Sequence, residues 1–243
     1  MSSPTARPPL RLAAEEGARA VESAAPVLAL DLKGLSFDGR PILGAIRLDL
    51  MPGETLAVTG PSGIGKTSLL RVLSRLEKDF SGTLEAPARV AMVFQEPTLL
   101  PWRSALDNIC LTTGLPADRA AARLAEVGLG ALGDQYPAQL SLGQQRRLSL
   151  ARAFAAQPDV LLMDEPFVSL DPGTAEEMMA LFARLRAERG VATVLVTHVE
   201  AEAEKLASRI VKLDGAPARI TEERQNKGAY FQLSASGVTS SKS

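Results

Sequence analysis

The sequence has one cysteine, one histidine, no long apolar run and no excess of either charge. Cys110 has no second cysteine with which to form an internal disulfide, which fits a reducing compartment. Between Ile109 and Leu111 it is expected as a buried structural thiol rather than a reactive one. The net charge is −1, from 27 basic and 28 acidic residues. An electrostatic nucleic-acid binder shows a clustered basic excess, so no nucleic-acid partner is expected. No stretch approaches the roughly 18 consecutive apolar residues of a membrane-spanning helix. Residues 1–26 mix Pro, Ala, Arg and Glu without the continuous apolar core of a secretory signal, and Glu15, Glu16 and Glu22 are unusual in a transit peptide. They are expected as a disordered leader, and the Ser-rich residues 234–243 as a disordered tail. The chain is 46% hydrophobic over 243 residues, enough for one domain with room for an inserted subdomain. That domain is placed at 27–233.

What is present is most informative at Gly60-Pro61-Ser62-Gly63-Ile64-Gly65-Lys66-Thr67-Ser68. The spacing G-x-x-x-x-G-K-[ST] follows an apolar run, Thr55 to Val58, and precedes the helix-like Leu69 to Leu73. Glycines let successive backbone N–H groups converge on one anion, and the following helix adds its unsatisfied N–H groups and positive dipole end. Lys66 is expected to reach the β- and γ-phosphates of a nucleoside triphosphate, and the Thr67 hydroxyl to bind Mg²⁺.

Leu28 to Lys33 and Ile46 to Leu50 alternate in polarity, the period of half-buried strands, with a turn expected at Asp38-Gly39-Arg40-Pro41. Met51-Pro52-Gly53-Glu54 is expected as a second turn and Ser81-Gly82 as another, ahead of a strand over Arg89 to Phe94. From about 97 to 157 the composition suits a small helical subdomain. It holds a helix over Asp118 to Val127 and a longer one capped by Ser141, running to about Ala156 and stopped by Pro158. Strands at Val160 to Met163, Val191 to Val196 and Arg209 to Leu213 then alternate with helices near 174–189 and 199–207. Such uniformly apolar strands imply a parallel sheet covered on both faces, hence an α/β fold. The strand at Val160 to Met163 ends in Asp164-Glu165, which places two carboxylates where α/β sheets bind ligands. Asp164 suits the carboxylate that holds Mg²⁺ opposite a P-loop. Glu165 suits the one that polarises the water attacking the γ-phosphate.

Together with these motifs, Gln95 in Val-Phe-Gln-Glu, Leu140-Ser141-Leu142-Gly143-Gln144, Ser169-Leu170-Asp171 and His198 in Val-Thr-His make the chain resemble the ATP-binding subunit of an ABC transporter, from about Leu28 to Leu213. The resemblance implies a P-loop NTPase with a mainly parallel core sheet, an antiparallel β-subdomain and an inserted helical subdomain, binding ATP and Mg²⁺. It implies that Gln95 meets Mg²⁺ or the attacking water. Ser141, Gly143 and Gln144 would contact the γ-phosphate bound by a second copy, with Asp171 connecting the two sites. A lone histidine at a strand end is more often structural, but His198 falls where the family places its γ-phosphate sensor. Phe37 falls where an aromatic ring stacks on adenine, and a core phenylalanine on a strand is the equal alternative. Two departures stand out: Leu142 replaces the usual signature glycine, and the segment 81–90 is short, as a trimmed β-subdomain would make it.

The run Leu99-Leu100-Pro101-Trp102 after Gln95, and Phe167-Val168-Ser169-Leu170-Asp171, are similar to importer ATPases for nitrate, sulfonates and taurine. Leu99, Leu100 and Trp102 are expected to form a groove for a membrane subunit, the alternative being core packing between subdomains. The resemblance thus implies a homodimer on the cytoplasmic face of the inner membrane. Its partners would be integral permease subunits and, indirectly, a solute-binding protein. A soluble ABC-type ATPase without a membrane partner is the alternative.

Overall fold

A computed structural model describes residues 25–227. The expected leader before Ala25, residues 228–233 and the expected tail lie outside the described residues. In chain order the first half contains β1 (Leu28–Phe37), β2 (Arg40–Leu43), β3 (Ile46–Leu50), β4 (Thr55–Thr59), α1 (Lys66–Leu73), β5 (Ser81–Glu85), β6 (Val90–Val93), α2 (Ala105–Thr113) and α3 (Ala117–Glu126). The second half contains α4 (Leu142–Ala155), β7 (Val160–Asp164), α5 (Pro172–Arg189), β8 (Ala192–Val196), α6 (Glu200–Leu206), β9 (Arg209–Asp214) and β10 (Arg219–Gln225).

Two sheets form. In the larger the order is β10-β9-β4-β8-β7-β6, parallel throughout except that β10 runs antiparallel along β9. In the smaller, β1 pairs antiparallel with β2, β3 and β5. Every residue of β7 and β8 is buried. The period of two sends Val160 and Leu162 into one hydrophobic cluster with α1 and the antiparallel sheet, and Leu161 and Met163 into another with α2 to α5. Two-sided burial is why these strands read as continuous apolar runs, each buried Leu or Val contributing about 1.5–3 kcal/mol.

Two local expectations are corrected, and one strand is added. The turn after β1 is confined to Asp38 and Gly39, both with positive φ (49° and 74°), and Arg40 and Pro41 already belong to β2. Two consecutive left-handed residues match the twist of a two-residue hairpin. Ser81-Gly82 is not a turn but opens β5. A Cβ on Gly82 would lie 2.2 Å from the Asp31 carbonyl oxygen, so glycine serves a close strand approach there. The strand β10 was not anticipated at all.

Candidate nucleotide site

Loops at the C-terminal edge of the parallel sheet bring the chemistry together. The neighbouring strands β4, β8, β7 and β6 deliver, in that order, the loop 60–65, His198, Asp164-Glu165 and Gln95. Open α/β sheets bind ligands at this edge.

In the loop after β4, Gly60, Gly63 and Gly65 all have positive φ (148°, 77° and 107°). At Gly60 a Cβ would also lie 2.6 Å from the Leu213 carbonyl oxygen, so no other residue fits. Gly65 caps α1 without a side-chain hydrogen bond, and the first turn of α1 holds no acidic residue. Its N–H groups are therefore free of side-chain acceptors and suit an anion. Lys66 is 4% exposed, and its Nζ donates to the carbonyls of Gly60 at 2.8 Å and Pro61 at 2.9 Å. The ammonium also lies 3.6 Å from Glu165 Oε1. Ser62 borders, with Gly60, Pro61 and His198, a cleft of about 440 Å³. Ile64 closes the loop through its amide bond to the Pro61 carbonyl, and Ser68 lies in the first turn of α1.

Thr67 Oγ1 donates to Asp164 Oδ2 at 2.9 Å. Burial pushes the Asp164 carboxyl above the usual range, opposed by the Thr67 bond. A divalent cation would relieve that burial cost by favouring the carboxylate. Among the described residues no group of three or more His, Cys, Asp or Glu side chains could cage a metal. One carboxylate and one hydroxyl suit Mg²⁺, which takes its remaining oxygens from phosphates and water.

Glu165 continues the ladder through its amide, which donates to the Val196 carbonyl at 2.9 Å, and then turns in the left-handed region (φ 44°). Such a conformation in a non-glycine residue is held only where the surroundings enforce it. Here it aims the carboxylate between two groups: Oε1 toward Lys66, and Oε2 at 3.1 Å from His198 Nδ1. Gln95 is exposed, two residues past the end of β6. Phe37 ends β1 opposite Arg40 and is 37% exposed, outside the buried clusters, so the core alternative fails. Its hairpin partner β2 touches the P-loop, Leu43 Cδ2 lying 2.7 Å from where a Gly65 Cβ would be.

Ser141 and Gln144 lie apart from these groups in a reciprocal cap on α4. The Gln144 amide donates to Ser141 Oγ at 3.3 Å, and the Ser141 amide to Gln144 Oε1 at 2.9 Å. Gly143 faces α5 so closely that a Cβ would lie 3.1 Å from Thr174 Cγ2. Leu142 is the first helical residue, where any side chain is allowed, and it is 42% exposed. Asp171 caps α5 by accepting the Thr174 amide at 3.0 Å, and the Thr174 side chain together with that amide holds its carboxyl below the usual range. Ser141, Leu142, Gly143, Gln144 and Asp171 share a cleft of about 590 Å³.

Sequence reading missed the residues that brace these loops. The guanidinium of Arg146, 5% exposed on α4, donates to the carbonyls of Pro166 (3.1 Å) and Val168 (3.0 Å), directly after Glu165. Arg152, one and a half turns further on, donates to the carbonyls of Thr98 (2.9 Å) and Pro97 (3.3 Å), beside Gln95. Asn108 on α2 is fully buried. It accepts the Leu100 amide at 2.8 Å and donates to the carbonyls of Leu100, Arg103 and Ser104. No local signal marks the two arginines; an Asn in an apolar helix could have marked the third. Asn108→Ala is expected to cost about 1–3 kcal/mol, because buried backbone groups lose their partner. A urea melt with hydrogen exchange over 100–104 checks this; unchanged stability and protection would exclude the bracing role.

The sequence model described as ABC transporter matches residues 43–168. The aliphatic sulfonates import ATP-binding protein SsuB 1 of Streptomyces avermitilis is 43% identical over 215 residues, 86% of this chain and 82% of that protein. SsuB 3 of Nocardia farcinica, of the same description, is 47% identical over 192 residues, 78% of this chain and 76% of that protein. Among solved structures, the dimeric post-hydrolysis ATP-binding cassette MJ0796 bound to ADP and Pi superposes with a TM-score of 0.71 at 27% identity. The match covers 83% of this chain and 99% of that one. The chain therefore belongs to the ABC transporter family, as an ATP-binding and ATP-hydrolysing subunit of the importer type.

Proposed function

We propose that two copies of this chain form the motor of an importer for sulfonates or chemically related small solutes such as nitrate or taurine. The observation that carries the catalytic part is the placement of Glu165 between Lys66 (3.6 Å) and His198 (3.1 Å), beside the Thr67–Asp164 pair. The solute class rests on the relatives, which are named as aliphatic sulfonate import proteins.

In this reading the amides of residues 60–68 and the Lys66 ammonium hold the β- and γ-phosphates of ATP, and Phe37 stacks on the adenine. Thr67, Asp164 and Gln95 would hold Mg²⁺, which would supply positive charge against the phosphates. Gln95 also orients the attacking water. Glu165 accepts that water's proton as its oxygen bonds to the γ-phosphorus. The bond to the bridging β–γ oxygen breaks, giving ADP and phosphate. His198 holds Glu165 and the γ-phosphate in register. Ser141, Gly143 and Gln144 of one copy face the nucleotide of the other, with Asp171 between the sites.

The membrane contact lies at Trp102, 68% exposed on the loop braced by Asn108 and Arg152, whereas Leu99 of the expected groove packs against the core, as the alternative had it. Exposed Trp on a rigid loop suits an interface anchor. Among the described residues no helix is long and apolar enough to cross a membrane. In this reading the chain works peripherally on separate permease subunits, at the cytoplasmic face. A solute-binding protein delivers the cargo to them. Trp102→Ala is expected to leave ATP affinity unchanged and to lose most of the stimulation of hydrolysis by the permease in vesicles. Full stimulation in that variant would remove the docking assignment. Uptake of candidate sulfonates by the reconstituted complex tests the function as a whole. Absence of any permease-dependent transport would leave a soluble ATPase instead.

A further inference from the structure

The turn that carries His198 is clamped from behind by a polar pair to which the reading above gives no task. Thr197 directly follows β8 and is 1% exposed. Its hydroxyl donates to Glu202 Oε2 at 2.5 Å and accepts the Val199 amide at 3.0 Å. Its own amide donates to the Val58 carbonyl, on the strand that leads into the P-loop, at 3.2 Å. Both neighbours of His198 are thus tied to one hydroxyl, and that hydroxyl is tied to one carboxylate.

Glu202 is the third helical residue of α6, and Val199 is the cap residue. A glutamate at this position ordinarily turns back to the amide of the cap residue itself. Here the Thr197 hydroxyl is inserted between them, so the cap of α6 and the conformation of the His198 turn become one hydrogen-bonded unit. Burial pushes the Glu202 carboxyl above the usual range; the Thr197 bond and the charge of His198 oppose this, and Glu165 adds to it.

We propose that Glu202, acting through the Thr197 hydroxyl, is a positioning residue that fixes the His198 ring against Glu165. The inference rests on the roles of His198 and Glu165 in the ATPase reading. The ring is held at Nδ1 by Glu165 and is 39% exposed, so its aim depends on the backbone at 197–199. A misplacement of about 1 Å at a reacting group costs on the order of a hundredfold in rate.

The test is steady-state hydrolysis with separate ATP binding measurements on the full chain. Glu202→Ala and Thr197→Val are expected to lower kcat by roughly 10- to 100-fold, with ATP affinity within about twofold of wild type. Thr197→Ser, which restores the hydroxyl, is expected to recover the rate. In a His198→Ala background Glu202→Ala is expected to add nothing, because its effect passes through the absent ring. If Glu202→Ala fails to fold, the Thr197→Val and Thr197→Ser pair decides by the same readouts. Full multiplication of the Glu202 and His198 losses, or a KM effect without a kcat effect, overturns the inference. A crippled His198→Ala beside unaffected Glu202→Ala and Thr197→Val overturns it alone. A wild-type rate in His198→Ala removes the role of His198 itself, and this inference with it.

Discussion

Glu165→Gln is expected to bind ATP as tightly as the natural chain, to hydrolyse it roughly 10²–10⁴-fold more slowly, and to accumulate as a closed dimer. Glutamine has the same shape and keeps an acceptor oxygen for Lys66 or His198, so the loop geometry survives. The amide bond to Val196 and the left-handed turn at 165 belong to the backbone and are untouched. What glutamine cannot do is accept the proton of the attacking water, so the loss falls on kcat rather than on binding. The Lys66 ammonium also loses its nearest carboxylate, 3.6 Å away, and is left more fully to the phosphates. Single-turnover phosphate release and ATP-dependent gel filtration read the two effects separately. A turnover equal to wild type would end the assignment of Glu165.

Legibility in the sequence followed burial and fixed spacing. The loop 60–68 was readable because its chemistry is local: glycines with positive φ, one lysine and one hydroxyl within a single turn. Strands β7 and β8 were readable because both faces are buried. By the same rule β10 was invisible. Only Ile220 of Arg219–Gln225 is even half-buried, so no apolar alternation exists. The strand is held as an edge by its ladder to β9 and by charge pairs such as Lys212–Glu222 and Arg224–Glu204. The sequence at Ser81-Gly82 misled because glycine signals a turn and a close strand approach alike. Relations between loops were the least legible. Nothing in the spacing of Ser141, Arg146 and Arg152 says that one helix, α4, touches the signature cleft, the loop after Glu165 and the loop after Gln95. That arrangement is long-range, and it gives the motifs a common rigid body. Through Arg146 and Arg152, α4 is bonded both to the carbonyls of Pro166 and Val168 after Glu165 and to those of Pro97 and Thr98 after Gln95.

Lys66→Ala is expected to act at an earlier stage than Glu165→Gln, by weakening nucleotide binding itself. The ammonium is 4% exposed and rests on two P-loop carbonyls, so it is already desolvated and aimed. A triphosphate adds charged oxygens to the same three-donor group, and a charge-assisted hydrogen bond contributes about 1.5–3 kcal/mol. At about 1.4 kcal/mol per tenfold this is roughly a 10- to 150-fold weaker Kd. Fold stability without nucleotide should change little, since alanine removes a buried cation together with its solvation cost, and the carbonyls of Gly60 and Pro61 lie near the surface of the loop. Two measurements separate these effects: the melting temperature without nucleotide, and its rise with added ATP, which shrinks as the logarithm of the lost affinity. A variant that melts as wild type without ATP, yet loses most of the ATP-induced rise, is the expected result. Wild-type affinity in Lys66→Ala would mean that the backbone amides and the α1 terminus alone hold the phosphates, and the lysine would then have no part in binding.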